Sequence, residues 1–261
     1  MCKIHQIYFS PTGTTAKIIS QIAAAIAPLE TTTVDLTKMT AAPELELAEC
    51  LALVGVPVYA GRVPEICLQR MANIKGNNTP AVLVAVYGNR AFEDTLVELQ
   101  DFMEEKGFKV IAAAAFVGEH SFSTASQPVA SNRPDIADLV KATEFGKIVV
   151  TLPLDAGADS LLAIPGKRPY QKRPERGAIA PDTDHKLCIA CGACERACPV
   201  ETVKLQGKTV VTDAANCILC CACVKVCPTK ARFLEHPMVS ERRKLLVEHC
   251  STRKEAEFFL P

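Results

Sequence analysis

The chain has 261 residues, 49% of them hydrophobic, with 29 basic and 29 acidic side chains. That length allows one or two domains, and the apolar share supports a packed core. The charge balance excludes the basic excess of a general nucleic-acid binder. The longest apolar stretch, around residues 50–60, is far short of the roughly 18 residues that span a bilayer. Met1-Cys2-Lys3-Ile4-His5 runs directly into strand-like sequence, so a soluble, cytoplasmic protein is expected, with no membrane insertion and no nucleic-acid partner.

Strand-like runs fall at 4–9, 51–58, 81–87 and 110–117, with a weaker one at 33–36. Three of them are continuously apolar, as parallel strands buried on both faces are. Helical stripes lie between: Ile18, Ile19, Ile22 and Ile26, then Phe92, Leu96, Leu99 and Met103, closed by Gly107. A further helix is expected from 134 to about 150. The alternation predicts an α/β fold, a doubly wound parallel sheet of five strands spanning residues 1–154. In such sheets ligands bind beyond the carboxyl ends of the strands.

Four loops leave those ends. Ser10-Pro11-Thr12-Gly13-Thr14-Thr15 opens a helix, where hydroxyls and backbone N–H groups make a phosphate site. It is not a GxxxxGKS or GxxxxGKT loop, so a nucleoside triphosphate is not expected; an ordinary capped turn is the alternative. The others are Pro57-Val58-Tyr59-Ala60-Gly61-Arg62, Tyr87-Gly88-Asn89-Arg90-Ala91-Phe92 and Gly118-Glu119-His120-Ser121-Phe122-Ser123. Each carries small residues and an aromatic, which suits a flat heteroaromatic ring. Two roles are open to His120, proton donor to a reduced ring or a backbone-bonded loop histidine. Arg62 is either the neutraliser of an anionic ring or a solvated charge.

Prolines and the cations Lys167, Arg168, Lys172, Arg173 and Arg176 mark residues 155–180 as a basic, extended linker. It reads as a spacer, or as a docking patch for an acidic partner. A second domain covers 181–236, and 237–261 form a helical extension. There Ser240 is the expected cap of a helix over 241–250, and Phe258-Phe259-Leu260 is expected to pack back on the body.

Thirteen cysteines are present, nine of them within the forty residues from Cys188 to Cys227. Two runs repeat at an offset of 29: Cys188-x2-Cys191-x2-Cys194-x3-Cys198-Pro199 and Cys217-x2-Cys220-x2-Cys223-x3-Cys227-Pro228. Paired zinc motifs place their CxxC units about 15 or more residues apart, unlike these. A disulfide framework is disfavoured by the odd count. The runs resemble the bacterial two-cluster ferredoxin signature, in which the fourth cysteine of each run ligates the other cluster. The resemblance implies one 4Fe–4S cluster on Cys188, Cys191, Cys194 and Cys227, and a second on Cys217, Cys220, Cys223 and Cys198. Cys221 is expected as a packing residue or an alternative ligand.

Together, the front loops and the cysteine runs resemble the flavodoxin–ferredoxin fusion proteins. That resemblance implies FMN. Ser10, Thr12, Gly13, Thr14 and Thr15 would hold its phosphate, Tyr59, Ala60 and Gly61 one side of the isoalloxazine, and Gly88, Asn89 and Arg90 its pyrimidine edge. Pro57, Val58, Tyr87, Phe92, Gly118, His120, Ser121 and Phe122 complete the expected site. The chain has no Trp, which many flavodoxins stack on the flavin, and Tyr59 is the substitute. The implied function is electron relay between redox partner proteins in a carrier that can form a homodimer; a flavin-dependent reductase of a small molecule is the alternative.

Overall fold

The computed structural model describes residues 3–26, 30–153, 162–175 and 177–261. Its front half alternates strands and helices: β1 (Lys3–Tyr8), α1 (Thr14–Ile26), β2 (Glu30–Asp35), β3 (Leu51–Pro57), α2 (Glu65–Met71), β4 (Thr79–Tyr87), α3 (Thr95–Glu105), β5 (Phe108–Val117) and α4 (Ile136–Thr151). The five strands pair in parallel in the order β2-β1-β3-β4-β5. That is the flavodoxin-like order of doubly wound sheets.

The sequence explains the layering. Every residue of β3 is buried, as its continuously apolar run requires, whereas β2 buries only Val34 and lies at the edge. On one face Ile18, Ile19 and Ile22 of α1 are fully buried beside Phe145 of α4. Each such side chain contributes about 1.5–3 kcal/mol on leaving water. α4 starts at a capping box, in which Asp135 accepts from Asp138 N–H and the Asp138 carboxylate accepts from Asp135 N–H. α3 begins after Phe92 rather than at it.

The second half is small and repetitive: β6 (Asp182–Thr183), α5 (Ala193–Ala197), β7 (Val203–Gln206), β8 (Thr209–Thr212), α6 (Ala222–Lys225), β9 (Arg232–Phe233), α7 (Pro237–His249) and β10 (Glu257–Phe259). Antiparallel pairs form between β7 and β8 and between β6 and β9. The repeat extends to the backbone. Left-handed residues occur at Ala190, Gly192 and Glu201, and again 29 positions on at Leu219, Cys221 and Lys230. The cap of α7 is His236, not the expected Ser240. Pro237 takes the first turn, where its fixed φ is favourable and its missing N–H is not needed.

Two features show how the segments on either side of the cysteine module sit on the front half. First, β10 returns to the front sheet and adds a sixth, antiparallel strand on β5. The run Ala112–Ala115 leaves room on both faces of β5. Phe258 meets Phe116 and Phe145 at 5.9 and 4.9 Å, and Phe259 meets Phe92 at 6.0 Å. The apolar end thus packs back on the body.

Second, the described part of the linker is a strap laid on α3. Asp94, at the cap of that helix, and Glu98 and Asp101 within it share one side. Asp94 accepts from the N–H groups of Lys167 and Gln171, Asp101 pairs with Arg168 and Tyr170, and Glu98 pairs with Arg173. Gly166, at φ 148°, lies so close to Val97 that a Cβ there would stand 2.3 Å from its Cγ1. Leu162 is buried in the main core. Arg168 and Arg173 are therefore spent within the molecule. Arg176 and the expected boundary at 154/155 lie outside the described residues. No helix among the described residues is long and apolar enough to cross a membrane.

Arg133 ties this framework together. Its guanidinium grips Asp138, with side-chain exposures of 5% and 1%, and donates to Lys254 O at 2.7 Å. Replacing Arg133 with Met leaves the buried Asp138 carboxylate only Asp135 N–H and, at 3.5 Å, the Arg253 guanidinium. The expected loss is about 3–5 kcal/mol of unfolding free energy in urea titrations; a loss below about 1 kcal/mol would show the pair to be dispensable.

Candidate functional site

The eight cysteines of the two runs surround two cavities. Cys188, Cys191, Cys194 and Cys227 line the first, of about 320 Å³ with open solvent included. Cys198, Cys217, Cys220 and Cys223 line the second, of about 290 Å³. Each wall thus takes three cysteines from one run and the fourth from the other. Among the described residues no three His, Cys, Asp or Glu side chains converge on a single-ion site. A cube needs no such convergence, because each thiolate binds a different iron. All twelve described cysteines are free. The donor chemistry and spacing therefore fit iron–sulfur clusters.

The fourth cysteines sit in equivalent backbone nests. Burial disfavours the Cys198 thiolate, but the Thr202 hydroxyl and the N–H groups of Val200, Thr202 and Val203 outweigh it and lower the pKa. For Cys227 burial is likewise outweighed, by the N–H of Arg232, the Thr229 hydroxyl and the N–H groups of Thr229 and Ala231. In Cys220 burial dominates and pushes the thiol up to about 12.

Cys221 stands where the first copy has Gly192, at φ 58° against 70°. A left-handed conformation there costs a non-glycine residue roughly 1–2 kcal/mol. Its side chain is buried with Ile179, Leu234 and Val239, so packing is its observed role, although it also touches the second cavity.

The residues around the two cavities differ in exposure. Cys191 of the first is exposed, and Ile189 and Leu187 beside it are 64% and 51% exposed. The second adjoins the front domain. Arg70 of α2 donates to Pro199 O at 2.7 Å, Lys225 pairs with Glu119, Arg243 donates to Phe122 O at 2.8 Å, and Ile218 packs against the main core.

The four strand-end loops meet one another. A Cβ on Gly118 would lie 3.1 Å from Thr14 Cβ, and one on Gly88 would lie 2.4 Å from the His120 ring. Val58 N–H donates to Val86 O. In the first loop Ser10 Oγ accepts from Ala16 N–H at 3.0 Å. The N–H groups of Thr14 and Thr15 have no acceptor among the described residues, and the buried Thr15 hydroxyl has no partner. Lys17 donates to Pro134 O instead of entering the loop. Three open donors without a cation fit a phosphate. Thr12 is half-buried and Gly13 exposed, with space above its Cα.

Several expected ring contacts are engaged elsewhere. Tyr87 and Phe92 turn into the core, 5.6 Å apart and edge to face. Asn89 is 2% exposed; its Nδ2 donates to Cys250 O and Thr252 O, and its Oδ1 accepts from Lys254 N–H. Arg90 forks onto Glu93. Arg62 forks onto Glu98 at 2.7 and 2.6 Å and covers the Tyr170 ring at 4.5 Å, so it is neither a solvated charge nor free for a ring. Tyr59, Ala60 and Gly61 form a tight turn closed by Tyr59 and Arg62, and Tyr59 is half-buried. Pro57 and Val58 form the base of that loop, and Ser121 is half-buried beside Phe122.

His120 accepts from Phe122 N–H through Nδ1 at 3.0 Å, which makes it a backbone-bonded loop histidine and places its proton on Nε2. Burial, then Arg90, Lys225 and Arg242, push its pKa down to about 4.

Sequence reasoning missed one residue at this site. Arg232 lines the first cavity and donates to Cys223 Sγ at 3.5 Å. The only signal was in the repeat, where Arg232 falls opposite Val203.

Residues 173–231 match the model of the 4Fe-4S dicluster domain. Among solved structures the front domain is similar to a flavodoxin from the domain Archaea, at 16% identity and TM-score 0.40, covering 57% of this chain and 96% of that one. It is also similar to the two-electron reduced flavodoxin of Megasphaera elsdenii, at 19%, 0.38, 56% and 98%. An NADH:FMN oxidoreductase matches at 13%, 0.41, 61% and 94%. At these TM-scores the likenesses carry no argument of their own, and the fold assignment rests on the strand order. Comparison with curated proteins gave no match. The class so defined is an α/β protein carrying an iron–sulfur module. More particularly, the chain fits a flavodoxin–ferredoxin fusion.

The neutral His120 has a pH consequence. Its folded pKa, about 4, lies below the unfolded value of 6.5. The unfolded chain therefore binds the extra proton first, and stability falls as pH drops from about 6.5 to 4. The loss attributable to this ring is at most about 3 kcal/mol, trimmed by its partial exposure. Denaturant unfolding of His120→Gln should show a correspondingly shallower decline over that window; an identical slope would remove His120 as the cause.

Proposed function

We propose that the chain is an electron-transfer iron–sulfur flavoprotein. It would hold two 4Fe–4S clusters in the cysteine-lined cavities and FMN on the loops beyond β1, β3, β4 and β5, and act as a low-potential carrier between redox partner proteins. One observation carries the reading: the cavity walled by Cys198, Cys217, Cys220 and Cys223 adjoins the loop beyond β5, one of those that would hold the flavin, and the other has the exposed Cys191 in its wall. When bound, the clusters supply single-electron transfer, and FMN can store one or two electrons.

The chain's own residues organise that traffic. Thr14 and Thr15 present open donors to the phosphate, and the half-buried Tyr59 supplies the aromatic wall. His120 stays neutral near neutral pH and fixes the Phe122 turn through its Nδ1. Lys225, Arg70 and Arg243 hold the inner cavity against the sheet ends. Leu187 and Ile189 give a redox partner an apolar landing beside Cys191.

Anaerobic purification should yield about eight irons, about eight sulfides and one FMN per chain; zinc in place of iron, or no flavin, would overturn the reading. Reoxidation by a small molecule without a protein acceptor would favour the reductase instead.

The crossed walls make a sharper prediction. Cys198→Ala with Cys217→Ala strikes one cavity and should leave about four irons. Cys198→Ala with Cys188→Ala strikes both and should leave almost none. The reverse result would show each run holding its own cluster.

Thr15→Val removes a buried hydroxyl donor, worth about 1–1.5 kcal/mol. FMN affinity by fluorescence titration should fall roughly tenfold, and unchanged affinity would take the phosphate away from this loop.

A further inference from the structure

Arg232 opens β9 between the two cysteine cavities and is 3% exposed. It lines the first cavity with Cys188, Cys191, Cys194 and Cys227. Its Nη2 reaches Sγ of Cys223, in the wall of the second cavity, at 3.5 Å. Nη1 donates to Thr183 Oγ1 at 2.7 Å, and Nε is buried without an acceptor. Among the described residues the guanidinium ion pairs are made by Arg62, Arg90, Arg133, Arg168, Arg173, Arg243 and Arg253, and none by Arg232.

A buried guanidinium without a carboxylate is strongly unfavourable unless another anion faces it. Among the described residues the sulfurs in reach are those of the cysteine ligands. Four thiolates outweigh the positive charge of an iron–sulfur core, so each loaded cavity is a net anion. The repeat underlines the asymmetry: Val203, 29 residues before Arg232, occupies the equivalent position and lines the second cavity with an apolar side chain. One guanidinium thus reaches a ligand of the second set while its residue lines the cavity of the first.

We infer that Arg232 is a counter-charge shared by both clusters, raising the reduction potential of each. The inference rests on the reading that the cavities hold 4Fe–4S clusters. Reduction of either assembly adds one electron and one negative charge, breaks no bond and moves no proton. A fixed positive charge beside both sets of ligands favours the more negative, reduced state of both. Net charge and hydrogen bonds to the sulfurs are among the factors that set such potentials.

The test is a dithionite redox titration of the full, anaerobically purified chain, followed by electron paramagnetic resonance of the clusters. Wild type is compared with Arg232→Met, which removes the charge, and Arg232→Lys, which keeps it. In Arg232→Met both clusters should become harder to reduce by at least tenfold at fixed potential, about 59 mV for one electron. In Arg232→Lys both shifts should stay smaller than that. Iron lost from Arg232→Met but retained in Arg232→Lys also supports the charge as the determinant. Unmoved potentials in iron-replete Arg232→Met, a shift confined to one cluster, or iron lost equally from both variants would overturn the inference. Iron-free wild type would instead sink the cluster reading itself, and that is measured first.

Discussion

Pairing of β10 with β5 decides where the second half of the molecule can lie. The cysteine module is inserted between α4 and this strand, so the front domain grips the chain on both sides of it. The grip is apolar on both faces of the sheet, through Phe258 and Phe259. Arg133 and Asn89 reinforce it by binding the segment that leads into β10. With both ends held, the module settles on the sheet-end loops, and the contacts of Arg70, Lys225 and Arg243 follow. Each is a charged side chain reaching a backbone carbonyl or carboxylate across the junction, well suited to orienting a small module that has little apolar surface to offer.

The small module has a different source of order. Its satellite cores comprise a handful of buried residues, including the cysteines themselves. Turn geometry replaces bulk packing, with left-handed residues and N–H nests in both copies. Metal-dependent small domains commonly work this way, because a core of that size cannot offset chain entropy alone. Cys221 shows the duplication under local strain, since a side chain sits where the other copy keeps glycine.

The parallel sheet was legible because its signals are local. Continuous apolar runs gave β3, β4 and β5, and the isoleucine stripe gave α1. The cavity walls were legible because cysteine spacing is a chemical constraint, and the two runs carry it twice. What escaped was long-range. Three residues at 257–259 hold no period that distinguishes a strand from a tail, and only the alanines of β5, some 140 positions earlier, make room for them. The linker looked like a solvated basic spacer because its acidic partners Asp94, Glu98 and Asp101 lie far away in sequence. Tyr87 and Phe92 looked like ring contacts because loop position cannot tell which way an aromatic side chain turns. Arg62 and Asn89 find their partners at Glu98 and at residues 250–254, which loop position does not reveal either.

The junction also has a kinetic meaning. A separate ferredoxin must find its acceptor by diffusion, at a rate that depends on both concentrations and on salt. Here the inner cavity and the sheet-end loops are parts of one body, held by Arg70, Lys225, Arg243 and the returning strand. Whatever passes between them passes in a unimolecular step, at a separation set by folding. Under the proposed function, dilution would slow an encounter with a partner protein and leave the internal step untouched.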